Sequence, residues 1–237
     1  MKVLKFENNE ALSEKASEVI IDKIKELDQP VIGLATGSTP ERTYELLVEK
    51  YKADQVSFKN VTTFNLDEYV GLEPTHINSY HRFMNERLFD HVDIDKAKTF
   101  LPDGLADNAE TEAERFEALI KEKGPIDLQV LGLGLNGHIG FNEPGTPFEA
   151  RTHVAKLVES TREANARFFD HIDEVPTDAI SMGIGTILDA KEIILLVHGE
   201  AKADILRQVI HGEITEDVPA SILQKHPNVT VITDIDV

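Results

Sequence analysis

Residues 31–40 read VIGLATGSTP, a short apolar run that leads through Thr-Gly-Ser into a proline. An apolar run bounded in this way predicts a buried strand at Val31–Ala35. Thr39 followed by Pro40 predicts the N-cap and the first residue of a helix. The same alternation of short apolar strands and amphipathic helices continues along the chain. It is typical of a parallel sheet covered by helices on both faces.

Four further strands are predicted, at Val61–Leu66, Ile126–Leu131, Ile193–Val197 and Val229–Thr233. The spacing of apolar residues predicts helices at residues 10–27, 78–89, 109–121, 161–169 and 200–210, besides the one that starts at Pro40. No repeat, low-complexity tract or linker interrupts this pattern. We therefore expect a single domain across residues 1–237, an α/β fold with a doubly wound, Rossmann-like and mainly parallel sheet. Ligands of such sheets bind outside the carboxyl ends of the strands, so the chemistry is expected in the loops there.

The composition narrows the function before any motif is considered. The chain has 24 Lys and Arg against 43 Asp and Glu, which gives a formal charge of −19. This argues against binding to nucleic acid or to an anionic membrane, since both need clustered Lys and Arg. The lack of cysteine excludes disulfides, thiolate nucleophiles and cysteine metal sites, and it fits a cytoplasmic protein. The first residues lack the long apolar run of a signal peptide or a membrane span.

The loop of Gly37, Ser38 and Thr39 is a candidate for anion binding. It offers hydroxyls and backbone amides at a helix N-terminus, where the helix dipole favours an anion. A plain capped turn is the alternative, but it would need Thr39 and Pro40 without the glycine and the serine. The loop is not a nucleotide-binding P-loop, because no lysine follows at the required place.

Two cations are further candidates for anion binding. Lys202 falls in the first turn of a predicted helix, where a cation opposes the helix dipole unless an anion is bound. Arg167 alone is weaker evidence for anion binding, because Glu163 four residues earlier could form an ordinary helical ion pair with it.

The strand Val61–Leu66 is followed by the adjacent carboxylates Asp67 and Glu68. They are either solvated loop acids that cap the next turn, or they include a general base at the end of a rigid strand. The residue types alone leave both interpretations open.

A glycine-rich loop follows the strand Ile126–Leu131 directly. Gly132, Gly134 and Gly137 have the G-x-G-x-x-G spacing of dinucleotide-binding loops. In those loops the last glycine opens a helix that carries the pyrophosphate. Pro-Gly at residues 144–145 leaves no room for such a helix, so we do not expect NAD. The glycines indicate instead a backbone pressed close to a small ligand, or a sharply bent loop.

The same loop carries His138 and Glu143, an imidazole and a carboxylate that can work as an acid/base pair. A structural histidine is the common alternative, and the position at a strand's carboxyl end weakens it. Zinc is not expected, since no H-E-x-x-H occurs and the other histidines lack the spacing of a helical ligand pair. The G-x-S-x-G motif of serine hydrolases is also absent.

Taken together, these segments resemble the glucosamine-6-phosphate deaminase family, also called glucosamine-6-phosphate isomerase. The resemblance covers nearly the whole chain and rests on four stretches: GLATGSTP at 33–40, FNLDEYVGL at 64–72, GHIGFNEP at 137–144 and ARFF at 166–169. It implies an enzyme of amino-sugar catabolism that converts glucosamine 6-phosphate and water into fructose 6-phosphate and ammonium without a metal or organic cofactor. The partner it implies is a small sugar phosphate.

The resemblance also implies roles for single residues. Asp67 matches the base that moves a proton between C2 and C1 through an enolamine. His138 matches the residue that opens the pyranose ring, and Glu143 matches the carboxylate that assists this step. The positions that hold the sugar phosphate match Ser38, Thr39, Arg167 and Lys202, with Gly37 in the same loop.

Two departures from the family pattern modify these expectations. Many members carry an aspartate in place of Asn136, so here we expect Glu143 to support the protonated imidazole of His138. Longer members are hexamers with an allosteric site for N-acetylglucosamine 6-phosphate, marked by basic residues after the Glu-Pro loop and by a C-terminal extension. Here that stretch reads RTHVAK at 151–156 and the chain stops at Val237. We therefore expect a non-allosteric enzyme that is a monomer rather than a hexamer.

Two other functions compete with this one. A 6-phosphogluconolactonase shares the fold and a phosphate loop, but it needs a base that activates water; LDEY at 66–69 and FNEP at 141–144 favour the deaminase. A sugar-phosphate sensor of a transcription regulator normally carries a DNA-binding helix-turn-helix. The chain has no spare segment for one, and its charge has the wrong sign.

Overall fold

The computed structural model describes residues 1–237 and contains ten strands in two sheets. In chain order the strands are β1 (Lys2–Lys5), β2 (Val31–Leu34), β3 (Thr62–Asn65), β4 (Asp67–Tyr69), β5 (Thr99–Phe100), β6 (Leu128–Gly132), β7 (His153–Lys156), β8 (Asp178–Ser181), β9 (Ile193–Val197) and β10 (Val229–Thr233). The helices are α1 (Asn9–Glu26), α2 (Ser38–Lys52), α3 (Tyr80–Arg87), α4 (Ala109–Lys123), α5 (Glu159–Asn165), α6 (Ile184–Leu188) and α7 (Ala203–His211).

The larger sheet has seven strands in the order β1-β10-β9-β6-β2-β3-β5, and every neighbouring pair is parallel. Helices α1, α2 and α3 pack on one face of this sheet, and α4, α6 and α7 pack on the other. All five residues of β9 are buried, as expected for a strand covered from both sides. The predicted α/β class with a doubly wound, mainly parallel sheet is confirmed.

Most predicted elements lie close to where the sequence puts them. The strands β9 and β10 have the predicted bounds, and α1 begins after Asn8, whose side chain accepts from Ala11 N at 3.0 Å. The predicted helix 78–89 is shorter, because Ser79 caps it by accepting from Arg82 N at 3.1 Å and a 3₁₀ turn follows at Phe89–His91.

A second, smaller sheet was not predicted. Its strands β4, β8 and β7 run antiparallel in that order. Leu66 joins the two sheets: its N–H donates to Leu34 O in the larger sheet at 3.1 Å, and its carbonyl accepts from Met182 N, next to β8, at 2.7 Å. The predicted strand Val61–Leu66 therefore does not end in a loop. The chain passes from one sheet to the other across a single residue.

The smaller sheet carries its own apolar cluster, formed by Tyr69, Phe141, Ala155, Leu157 and Ala179. Because the glycine-rich loop contributes Phe141, this cluster fixes that loop against the smaller sheet. No helix in the protein is both long enough and apolar enough to cross a lipid bilayer.

Candidate active site

The four segments singled out in the sequence follow four strands that are neighbours in the larger sheet. Their order is β9, β6, β2 and β3, and because the strands are parallel all four segments, three loops and the start of β4, leave the same edge. The chain runs from β2 to β3 on one side and reaches β6 on the other, so the strand order reverses between β2 and β6. Such a switch point opens a crevice for ligands.

The helix after β2 begins earlier than predicted. Thr39 is not its N-cap: α2 starts at Ser38, and Gly37 takes the N-cap position with a φ of 95° and no side-chain hydrogen bond. A residue with a Cβ rarely adopts this conformation. Because glycine has no side chain to occupy the first turn, the backbone N–H groups there are available to an anion.

The helix predicted at 161–169 ends before it reaches Arg167. Helix α5 ends at Asn165, and residues 166–168 form a tighter 3₁₀ turn. Four-residue helical spacing to Glu163 therefore does not apply, and the alternative ion pair does not form. The guanidinium instead points toward the α2 N-terminus, where its Nη2 lies 3.5 Å from Ser38 Oγ.

Lys202 closes a 3₁₀ turn at Glu200–Lys202 and takes the N-cap position of α7. Burial lowers the pKa of its ammonium group, and the like charge of Arg167 lowers it further. Neither cation has a carboxylate partner within ion-pair distance. Two cations, the Ser38 hydroxyl and two helix N-termini thus converge on one place, which is an arrangement suited to a dianion.

His138, Asn136 and Glu143 form a hydrogen-bonded relay. Asn136 Oδ1 lies 2.7 Å from His138 Nδ1, and Asn136 Nδ2 donates to Glu143 Oε2 at 2.8 Å. An ionised carboxylate only accepts hydrogen bonds, so the amide nitrogen must face Glu143 and the amide oxygen must face the ring. His138 Nδ1 therefore carries a proton, and Nε2 is left free for proton transfer.

Glu143 also lies 3.5 Å from His138 Nδ1 directly, and its second oxygen accepts from Thr161 Oγ1 at 2.6 Å. Burial alone would raise the pKa of this carboxyl, but the contacts with His138, Thr161 and Asn136 outweigh it and hold the pKa below its usual value. Glu143 therefore remains a carboxylate next to the imidazole. The geometry places the carboxylate where it could support a protonated His138, and that role stays a prediction.

The glycine at position 134 lets the ring fit. A Cβ at Gly134 would lie 2.3–2.5 Å from the atoms of the His138 imidazole, which is far inside van der Waals contact. The backbone of the loop thus forms one wall of the imidazole site. This explains one glycine of the G-x-G-x-x-G spacing without a dinucleotide.

Asp67 is buried on β4, beside the same loop. A Cβ at Gly140 would lie 3.8 Å from Asp67 Oδ2. No protein group donates a hydrogen bond to the carboxylate, and the next residue but one on the strand, Tyr69, packs against Tyr80 and Phe141. Burial raises the pKa of Asp67 to about 8, and the negative charge of Glu68 contributes.

Glu68 is not a solvated loop acid. It is almost completely buried and accepts from Tyr80 N and His81 N at 3.1 and 3.0 Å, at the start of α3. It also accepts from Tyr69 N at 2.8 Å and lies 2.8 Å from His81 Nδ1. Glu68 thus has the capping contacts of the first interpretation without its solvent exposure, whereas Asp67 caps nothing.

Sequence reasoning missed two residues that hold this site together. Thr161 binds Glu143 across 18 residues, and Asp234 accepts from Gly199 N at 3.0 Å in the loop that leads to Lys202. Neither has a local signal, since an isolated Thr or Asp occurs in many surface loops. The fold brings together no group of three or more His, Cys, Asp or Glu side chains that could hold a metal ion.

The chain is similar to known proteins over nearly its whole length. Residues 7–232 match the model of the glucosamine-6-phosphate isomerases/6-phosphogluconolactonase family. A glucosamine-6-phosphate deaminase of Halalkalibacterium halodurans is 53% identical over 234 residues, which is 99% of this chain and 95% of that protein.

Two solved structures show how far the likeness reaches. A monomeric glucosamine-6-phosphate deaminase is 50% identical and superposes with a TM-score of 0.97 over 98% of this chain and 97% of its own. The 6-phosphogluconolactonase of Trypanosoma brucei superposes with a TM-score of 0.78 over 98% of this chain and 95% of its own, but it is only 18% identical. The likeness to the lactonase is therefore one of fold alone.

Proposed function

The chain belongs to the glucosamine-6-phosphate isomerase/6-phosphogluconolactonase family, and we propose that within this family it is a glucosamine-6-phosphate deaminase. It converts glucosamine 6-phosphate and water into fructose 6-phosphate and ammonium. One observation supports this activity above the others: the site has two separate proton-transfer centres. The relay of His138 is one centre, and the buried Asp67 carboxyl, with no protein hydrogen-bond donor, is the other.

The sugar phosphate binds at the convergence of Ser38, Thr39, Arg167 and Lys202, with the Gly37 amide region open to it. Its charge compensates the two cations, whose mutual repulsion the free protein has to bear. The phosphate group takes no part in the bond changes at C1 and C2. Its binding energy therefore serves to orient the sugar.

Ring opening is the work of the His138 relay. Nε2 takes the proton from the anomeric hydroxyl and returns a proton to the ring oxygen as the C1–O5 bond breaks, which leaves an open-chain aldehyde. The imidazole of His138 must carry a positive charge for part of this step. Glu143 stabilises that charge from 3.5 Å, and Asn136 holds the proton on Nδ1 so that Nε2 remains the reactive nitrogen.

Asp67 then removes the proton from C2 of the open chain. The electron pair forms the C1–C2 double bond of an enolamine while the π pair of the C1 carbonyl moves to O1, which takes one proton from the C2 ammonium group. The protonated Asp67 then returns the C2 proton to C1, and the nitrogen lone pair forms a double bond to C2. The resulting imine at C2 adds water, and ammonium leaves as the ketone forms, so atoms and charge balance. A carboxyl pKa of about 8 makes Asp67 a far stronger base than an ordinary carboxylate. The substrate's C2 ammonium group favours the ionised form of Asp67 when it binds.

Glu68→Gln tests the environment of the base. Glutamine keeps an acceptor oxygen for the amides of α3 but removes a negative charge next to Asp67. Burial still raises the pKa of Asp67, yet with this charge gone the pKa falls below its value of about 8. Because Asp67 must be ionised to act, the acid limb of kcat/KM against pH is expected to move to lower pH.

Glu73→Gln is the matched control for this pH profile, since Glu73 is exposed and its substitution changes the net charge equally. The control profile is expected to coincide with that of the wild type. An acid limb at the same pH in Glu68→Gln and wild type would contradict the assignment of Asp67 as the base.

We extend the proposal to organisation and location. Residues 1–237 act as one domain, because loops from Gly37 to Lys202 build a single site. The enzyme is a monomer, like the deaminase that is 50% identical to it, and a single species near 26.4 kDa is expected in sedimentation. The cytoplasmic location stays a prediction from the sequence.

The activity is tested by incubating the purified protein with glucosamine 6-phosphate, with and without a metal chelator. Ammonium and fructose 6-phosphate are expected in equal amounts, with a rate that the chelator does not change. A folded protein that binds the sugar phosphate but releases no ammonium would be a sensor. Hydrolysis of 6-phosphogluconolactone without ammonium release would make it a lactonase.

A further inference from the structure

Thr161 is buried on α5, and none of the steps above uses it. Its hydroxyl donates a 2.6 Å hydrogen bond to Glu143 Oε1, and no other side chain binds that oxygen. The opposite oxygen, Oε2, accepts from Asn136 and faces His138. The two oxygens of the Glu143 carboxylate thus have different partners, and Oε1 accepts a hydrogen bond from Thr161 alone.

We propose that Thr161 is a positioning residue for ring opening: its hydroxyl fixes the plane of the Glu143 carboxylate so that Oε2 stays on the Asn136–His138 relay. This inference rests on the proposed deaminase function and adds a residue to it. The Thr161 hydroxyl hydrogen-bonds to Glu143 and to no other residue of the site, so we expect it to act through Glu143.

The need for a second hydrogen bond follows from the geometry of glutamate. The last torsion of a Glu side chain joins an sp³ to an sp² carbon, and its energy profile is broad. Hydrogen bonds to Oε2 alone would leave the carboxylate free to rotate about this bond. A bond to Oε1 from a different element stops the rotation. Proton transfer is sensitive to such a displacement of the carboxylate.

Thr161 can serve as such a fixed point because α5 is itself anchored. Asn165 Nδ2 donates to the hydroxyl of Tyr69 at 3.0 Å, and Arg162 Nη2 donates to Val175 O at 3.1 Å. The turn that follows α5 carries Arg167 to Ser38. One short segment therefore contacts Glu143, the strand of Asp67 and the phosphate loop.

The test compares Thr161→Val with Thr161→Ser. Valine keeps the branched shape and removes only the hydroxyl, whereas serine keeps the hydroxyl. We expect Thr161→Val to lower kcat about tenfold or more, with KM within about threefold of wild type, because only the ring-opening geometry is lost. Thr161→Ser is expected to restore most of the wild-type kcat.

A second readout follows the Glu143 carboxyl itself, by NMR titration of protein labelled with ¹³C in the glutamate side chains. Burial raises the pKa of Glu143 and its hydrogen bonds lower it. Loss of the Thr161 bond should therefore raise this pKa in Thr161→Val but not in Thr161→Ser. Thr146→Val is the matched control, since Thr146 Oγ1 donates at 2.7 Å to the backbone carbonyl of Glu143 rather than to its carboxylate.

A wild-type kcat together with an unshifted Glu143 titration in Thr161→Val would overturn the proposal. Should that variant fail to fold, Thr161→Ala is judged by the same two readouts. Ammonium release by the wild type is measured first, so that failure of the proposed function is seen separately. The carboxyl titration then still decides whether Thr161 holds Glu143.

Discussion

Asp67→Asn is expected to lower kcat for ammonium release by about 10³-fold or more, in the range that general-base catalysis contributes. The amide has the shape of the carboxylate but cannot take a proton from C2. The phosphate-binding residues lie on other loops, so the affinity for the sugar phosphate should change by less than about threefold. Steady-state kinetics and calorimetric binding measure the two quantities separately.

The same substitution is expected to leave the fold at least as stable as in the wild type. Asp67 has a folded pKa of about 8 against an ordinary value of 3.8. Below the ordinary value the carboxyl is protonated in both the folded and the unfolded chain. As the pH rises from there to about 8, the unfolded chain loses this proton first, so the free energy of unfolding of the wild type falls. The Tm of Asp67→Asn relative to wild type should therefore increase over that pH window.

Asp178→Asn provides the control for both measurements. It makes the same chemical change at the first residue of β8, in the same smaller sheet, away from the β8 residue that pairs with Asp67. Its kcat should remain within about threefold of wild type. A kcat loss of similar size in both variants would mean that the sheet, rather than the base, was damaged.

Lys202→Met is expected to lower kcat/KM for glucosamine 6-phosphate by about 10²-fold, a typical loss when a buried charged contact is removed. Methionine has nearly the length of the lysine stem and no charge. Inhibition by inorganic phosphate should weaken as well, because the anion loses a partner that it shares with the substrate.

Thermal unfolding should move in the opposite direction. Burial and the charge of Arg167 lower the pKa of Lys202, which means that the free protein holds its charged form at a cost. At a pH below the folded pKa, where the group is charged in both the folded and the unfolded chain, this cost is present in full. The Tm of Lys202→Met without ligand should equal or exceed that of wild type. Added phosphate should raise the Tm of wild type more than that of the variant.

Lys225→Met is the control here, since Lys225 is exposed and distant from the site in sequence. It should change neither kcat/KM nor the response to phosphate. A Lys202→Met variant that keeps the wild-type response to phosphate would remove Lys202 from the anion site.

The elements that the sequence predicts best are those determined by their own composition. The strand Ile193–Val197 is apolar throughout because both of its faces are covered, and its bounds are predicted correctly. The smaller sheet is different, because β4 has three residues, two of them acidic, and becomes a strand only by pairing with β8. No local pattern announces a pairing between segments so far apart in the chain.

The residues of the site also fall into two groups, those with a local sequence signal and those without one. The glycine-rich loop, Asp67 and Lys202 stand out because each is unusual for its local position, and the structure brings them to one edge of the sheet. Thr161 does not stand out, since its importance comes entirely from a tertiary contact with Glu143. The wrong N-cap at Thr39 has a physical reason too: Gly37 takes the N-cap position two residues earlier by adopting a positive φ.

The place of β10 in the larger sheet has a consequence for folding during synthesis on the ribosome. Residues 229–233 leave the ribosome after every other strand of that sheet, yet they lie between β1 and β9. Until they emerge, β1 has no partner and the apolar β9 presents an open edge, the kind of surface on which nascent chains aggregate. The order of synthesis therefore differs from the order of strands in the sheet. The larger sheet can be completed only after residues 229–233 have been synthesised.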